Sequence, residues 1–159
     1  VVTSRNSCHF VTFRLGRETY ALDVTHAREV VDDAAVTPIP NTPRWVRGVL
    51  NLRGTILPVL DIKQKFHIEG APEVLEPCIL VVEVQLEGET HAFGLCADAV
   101  REVFEFDFSE LRPSPRFCGS LSAEFVRGIG EVSGEIFVVL DVEKVFSAAE
   151  VSRIAESAA

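Results

Sequence analysis

Short runs of alternating apolar and polar residues fill most of the chain. Val11, Phe13 and Leu15 alternate with Thr12 and Arg14, and Tyr20, Leu22 and Val24 alternate with Ala21 and Asp23. A period of two predicts half-buried strands. The same pattern predicts strands over 49–53, 56–60, 78–84, 91–95, 100–106, 125–132 and 135–140. Gly48 and Gly54 bracket the strand 49–53, and Gly54-Thr55 stands at hairpin distance before Ile56. Many short strands with glycine turns point to small barrels or a sandwich, and closure of a barrel removes exposed sheet edges. Helix is scarce. Segments 61–66 and 141–146 each begin with Asp, a good N-cap, and have room for one or two turns. Ser147 and Glu150 have capping-box spacing, and Val151, Ile154, Ala155 and Ala158 fall on one face. A short amphipathic C-terminal helix over 147–158, packed on a barrel, is expected.

The pattern occurs twice. Residues 44–66 read RWVRGVLNLRGTILPVLDIKQKF and residues 124–146 read EFVRGIGEVSGEIFVVLDVEKVF. At a fixed offset of 80, nine of these 23 positions are identical: Val46/Val126, Arg47/Arg127, Gly48/Gly128, Gly54/Gly134, Ile56/Ile136, Val59/Val139, Leu60/Leu140, Asp61/Asp141 and Phe66/Phe146. A weaker echo links 15–30 to 86–103 with two inserted residues. An internal duplication with two similar halves accounts for both. The halves are expected at about 8–66 and 78–146, with strands open to exchange between barrels. Residues 67–77, with two prolines, one glycine and three glutamates, read as the linker between them. Pro113 and Pro115 mark a second irregular stretch.

Composition narrows the classes. Of 159 residues, 47% are apolar, which suits a packed core rather than a disordered chain. The net charge of −9 disfavours nucleic acid as a partner. No apolar run approaches the roughly 20 residues that span a bilayer, and residues 1–8 carry no apolar signal-peptide core. The chain contains no Met, so the printed start is compatible with a trimmed chain or an excised domain. The cysteines at 8, 78, 96 and 118 show no CxxC or zinc-type spacing and read as reduced and cytosolic.

No catalytic pattern stands out. There is no H-x-x-H, HExxH, GxSxG or P-loop motif. Asp61 and Asp141 could pass for a carboxylate pair, but each holds the same repeat position at a helix start, where capping explains it. No enzyme, metal site or cofactor is expected, which leaves a binding module. Arg53 is then the residue of most interest, because its counterpart in the second repeat is Ser133. It is either a solvated arginine at a strand end or a binding residue. The same choice applies to Ala27, Arg28 and Glu29: an exposed short segment, or a docking surface.

Taken together, FRLGRETYALDVTHAREV at 13–30, TPIPNTP at 37–43 and VRGVLNLRGTILPVLD at 46–61 resemble the CheW-like domain, and LRPSPRF at 111–117 and residues 125–146 continue it in order. The resemblance runs from about Cys8 to the C-terminal helix. It implies an all-β fold of two five-stranded, SH3-like barrels packed together, in one domain over 8–159. It also implies a cytoplasmic chemotaxis adaptor that couples the cytoplasmic tips of methyl-accepting chemoreceptors to the regulatory domain of the histidine kinase CheA, reaching the inner membrane only through receptor arrays. The alternative is a CheW-like domain of a larger signalling protein, CheV-type or the regulatory domain of CheA itself. By the same resemblance, Ala27, Glu29, Gly48, Arg53 and Val103 would contact the receptor, and Arg112, Arg116 and Phe117 the kinase.

Overall fold

The computed structural model describes residues 7–33, 36–70, 75–113 and 125–145. The predicted C-terminal helix over 147–158, and Arg116 and Phe117, lie outside them. Ten strands are present: β1 Ser7–Leu15, β2 Glu18–Asp23, β3 Ala27–Asp32, β4 Val46–Leu52, β5 Thr55–Leu60, β6 Cys78–Leu86, β7 Glu89–Ala97, β8 Ala99–Asp107, β9 Val126–Val132 and β10 Glu135–Leu140. Two one-turn helices follow the repeat blocks, α1 Ile62–Lys65 and α2 Val142–Val145. Asp61 caps α1 as expected, its carboxylate accepting the Gln64 N–H at 3.2 Å.

The strands form two five-stranded sheets, ordered β8-β1-β2-β10-β9 and β3-β6-β7-β5-β4. Each sheet mixes the two repeats. The first takes β1 and β2 from the first half and β8, β9 and β10 from the second, and the second sheet does the reverse. The boundaries 8–66 and 78–146 therefore mark the sequence repeat, whereas the sheets arise from a reciprocal exchange of hairpins. The exchange is visible in the register. Hairpins pair antiparallel within themselves, and strands of the two halves pair antiparallel as β1 with β8 and β3 with β6, and parallel as β10 with β2 and β5 with β7.

Exchange explains why some strands are apolar on both faces. In β1, Val11, Phe13 and Leu15 join the core shared by the two sheets, while Phe10 faces the interior of its own sheet. In β6, Leu80, Val82, Val84 and Leu86 enter the shared core, and Ile79 and Val81 fill the interior of the second sheet. A strand buried on both sides reads as a continuous apolar run, as 79–82 does. The private interiors are small: Phe10, Ala21, Phe106, Phe137 and Val139 in one, and Leu50, Leu57, Val59, Ile79 and Val81 in the other.

Each curled sheet is closed in the same way. The chain leaving edge strand β3 returns to β4, where Thr37 exchanges backbone hydrogen bonds with Val49 at 2.8 and 2.9 Å. The chain leaving β8 returns to β9, where Arg112 does the same with Ile129 at 2.9 and 2.8 Å. Glycine is required at the first crossing. A Cβ on Gly48 would lie 2.1 Å from the Thr37 carbonyl oxygen, and its φ of 147° disfavours other residues.

Candidate functional site

Sequence alternation left Ala27, Arg28 and Glu29 outside any strand; the structure places them in β3, the edge strand of the second sheet. Ala27, Glu29 and Val31 are half-buried, whereas Arg28, Val30 and Asp32 face solvent. The β4–β5 hairpin swings across to this edge. Its turn residues, Arg53 and Gly54, have φ of 51° and 87°, the pair of positive values that a tight two-residue hairpin demands. Asn51 steadies the turn by accepting the Gly54 N–H at 3.0 Å.

This turn delivers the Arg53 guanidinium to Glu29. Its two terminal nitrogens donate to the two carboxylate oxygens at 3.0 and 2.9 Å, a bidentate fork. The Arg53 side chain is 75% exposed and Glu29 29%. The hydrogen bonds and attraction to Glu29 raise the already high proton affinity of the guanidinium. Screening by water keeps such an exposed pair weak as a source of stability. It is better suited to holding the two side chains in one arrangement on the edge strand. Next to it, Arg28 pairs with Glu83 on β6.

Of the five residues expected to face a receptor, the structure thus brings together three: Glu29 and Arg53, with Ala27 on the same face of β3. Gly48 is buried beneath Thr37 at the far end of β4 from Arg53, where it serves closure of the sheet. Val103 sits on β8 in the other sheet, opposite Val11, and is 54% exposed. Of the residues expected to face the kinase, Arg112 borders an open cleft of about 510 Å³ with Leu111, Ile129 and Ile136. Arg116 and Phe117 are outside the described residues. Sequence reasoning passed over the exposed isoleucines Ile56 and Ile136, 56% and 60% exposed, although their identity in both repeats was a signal.

Burial pushes the Cys96 thiol up to about 12 and raises Cys78 and Cys8 as well, so none is a ready nucleophile. Lys63 and Asp98 form an ion pair at 3.0 Å, and the same Asp98 oxygen accepts the Gly16 N–H at 2.7 Å, tying α1 to the β1–β2 turn. Among the described residues, no three His, Cys, Asp or Glu side chains gather to hold a metal ion, and no helix is long and apolar enough to cross a membrane.

Comparison with known proteins places this geometry. A family model described as the CheW-like domain matches residues 9–150. The chemotaxis protein CheW of Klebsiella aerogenes is 31% identical over 145 residues, covering 91% of this chain and 85% of that one. The chemotaxis protein CheW of Treponema pallidum is 30% identical with the same coverage. Protein FrzA of Myxococcus xanthus is 28% identical over 96% of this chain and 93% of its own. Among solved structures, the scaffolding protein TtCheW of Thermoanaerobacter tengcongensis matches with a TM-score of 0.78 and 31% identity, covering 94% of this chain and 96% of that chain.

Proposed function

The chain belongs to the CheW-like domain family, and from that membership we propose that it is a non-enzymatic chemotaxis adaptor that couples chemoreceptors to the histidine kinase CheA. The adaptor class follows from the family, three of whose members named above are chemotaxis or scaffolding proteins. The partners are our reading: the cytoplasmic tip of a methyl-accepting receptor on one side and the kinase regulatory domain on the other, in the cytoplasm at receptor arrays. The observation that carries it is the Arg53–Glu29 fork, an ordered charged pair on an edge strand of a chain whose fold matches a scaffold along nearly its whole length.

On this reading Ala27, Glu29, Gly48, Arg53 and Val103 form or support the receptor surface, and Arg112, Arg116 and Phe117 meet the kinase. Gly48 acts through the backbone it lets Thr37 approach. Arg53→Glu is the direct test. It sets two carboxylates face to face on an exposed turn, so it should leave folding nearly intact, within ~1 kcal/mol. Co-sedimentation with receptor-bearing membranes should fall at least about tenfold. A folded variant that sediments like the wild type would remove Arg53 from the receptor surface.

A further inference from the structure

The exchanged hairpins give each sheet the same parts, so a feature of one can be compared with its counterpart in the other. Ala27-Arg28-Glu29-Val30 on β3 corresponds to Val100-Arg101-Glu102-Val103 on β8. Glu102 therefore stands where Glu29 stands, and the repeat offset puts Ser133 where Arg53 is. The two hairpin turns have the same shape: φ is 52° at Ser133 and 81° at Gly134, against 51° and 87° at Arg53 and Gly54. In the second sheet this turn lays a guanidinium on the carboxylate. In the first sheet the same turn and the same carboxylate are present, and the guanidinium is missing.

The space it would fill is a notch of about 130 Å³. Glu102, Ser133, Thr12, Phe104 and Phe137 line it. Its volume is close to the ~150 Å³ of an apolar cavity that holds a benzene ring, so a planar guanidinium fits. The Glu102 backbone is pinned from both directions: Thr12 Oγ1 donates to the Glu102 carbonyl at 3.0 Å and accepts its N–H at 3.2 Å. Among the described residues, no cation pairs with the Glu102 carboxylate. Glu135, also on the notch, is already engaged by Arg14 at 3.3 Å and by the Thr19 hydroxyl at 2.8 Å. Phe104, half-buried and packed edge to face on the buried Phe137 at 5.2 Å, supplies the aromatic side of the notch.

We propose that this notch is a docking site for one arginine side chain of a partner protein, completing between molecules the pair that Arg53 completes within the second sheet. Arginine fits better than lysine, because a planar fork matches a carboxylate bidentately and stacks on aromatic faces, whereas an ammonium does neither. The chain's net charge of −9 attracts a basic partner. Arg101 also borders the notch, so the incoming guanidinium meets one like charge there. None of the residues assigned above to receptor or kinase lines the notch, although Val103 follows Glu102 in β8.

The test is an amide chemical-shift titration of the isotope-labelled chain with three blocked tripeptides, Gly-Xaa-Gly, in which Xaa is arginine, lysine or citrulline. The arginine peptide should shift the amides of Glu102, Ser133 and Gly134 saturably. Lysine should bind more weakly, and citrulline, uncharged but of the same shape, at least about tenfold more weakly. Ser133→Arg should fill the notch from within and abolish the response, with Arg53 showing that the turn accepts arginine. Glu102→Gln, with an otherwise unchanged spectrum, should abolish it too. The proposal is overturned by absence of a saturable shift, by citrulline or lysine binding as well as arginine, or by an undiminished response in Ser133→Arg.

Discussion

The two private interiors are filled by different residues at equivalent places, and this difference yields a quantitative prediction. Leu50 and Leu57 are cross-strand partners in the second sheet; their counterparts in the first, Gly130 and Phe137, are cross-strand partners too. Two medium side chains are replaced by none and one large ring. A Cβ on Gly130 would lie 2.3 Å from Phe137 Cζ and within 2.9 Å of both Cε atoms. The ring cannot swing clear, since it is 3% exposed and packs on Phe10, Phe104 and Phe106 at 6.1, 5.2 and 5.2 Å. Gly130→Ala should therefore cost about 1–3 kcal/mol by overpacking. Phe137→Leu should cost roughly 1–2 kcal/mol, less than the ~3–5 of truncation to alanine. The double variant should be no less stable than Phe137→Leu alone, a coupling of at least ~1 kcal/mol. Urea unfolding followed by the fluorescence of the single tryptophan, Trp45, measures all four corners of the cycle. Additive costs in the double variant would refute the idea that glycine and phenylalanine share one volume.

Two further outcomes follow from the structure. Burial raises the Cys96 pKa from 9.0 to about 12, so the folded state holds that proton after the unfolded chain has released it, and stability is lost as pH climbs from about 9 towards 12. Between pH 8 and 10.5 the wild type should lose up to about 2 kcal/mol more than Cys96→Ala, measured by urea midpoints, and equal losses would exclude the thiol as the cause. Because each sheet needs strands from both halves, fragments cut within 67–77 should be unfolded alone and regain circular dichroism and cooperative unfolding when mixed; a cooperatively folded single fragment would contradict the exchanged topology.

Much of the fold was legible because alternation, glycine turns and the repeat are local signals. Strands β4, β5, β6, β9 and β10 fall where the pattern predicts them. Two departures have local causes. Val24 continues the alternation of β2, yet it enters a 3-10 turn because Asp23 accepts the Thr25 N–H at 2.9 Å. β3 carries only two valines and one alanine among charged residues, and its exposed face at Arg28, Val30 and Asp32 hides its strand character. Exchange between barrels was open from the sequence, but which strands exchange was not legible, because the pairings of β1 with β8, β3 with β6 and β5 with β7 join residues far apart in sequence. The continuous apolar run at 79–82 was its one trace. At the site, Arg53 and Glu29 could each be singled out, but their pairing depends on a hairpin reaching across to another edge strand. Gly48 and Val103 share no such geometry with them, and motif matching alone does not reveal that separation.

The duplication also separates residues that maintain the fold from residues free to take on partners. Gly48 and Gly128 admit the returning segments that close each sheet; a Cβ on Gly128 would meet the Arg112 carbonyl oxygen at 3.0 Å. Val59 and Val139 are both fully buried, and Asp61 and Asp141 both stand at helix starts. These identities persist because both sheets face the same steric problem. At the hairpin tips only the second turn residue, Gly54 or Gly134, is held in this way; the side chain of the first is free to vary. Arg53 and Ser133 share a backbone conformation, differ in charge and project into solvent, so one sheet carries a completed ion pair and the other a carboxylate with no paired cation among the described residues. Ile56 and Ile136 depart from this division, being identical yet exposed, and nothing in the structure explains them. Elsewhere the two sheets share one closure and one core but present different charge at equivalent tips. An adaptor needs that combination, because a rigid body with two equivalent faces can hold two partners apart only if each face is marked for a different one.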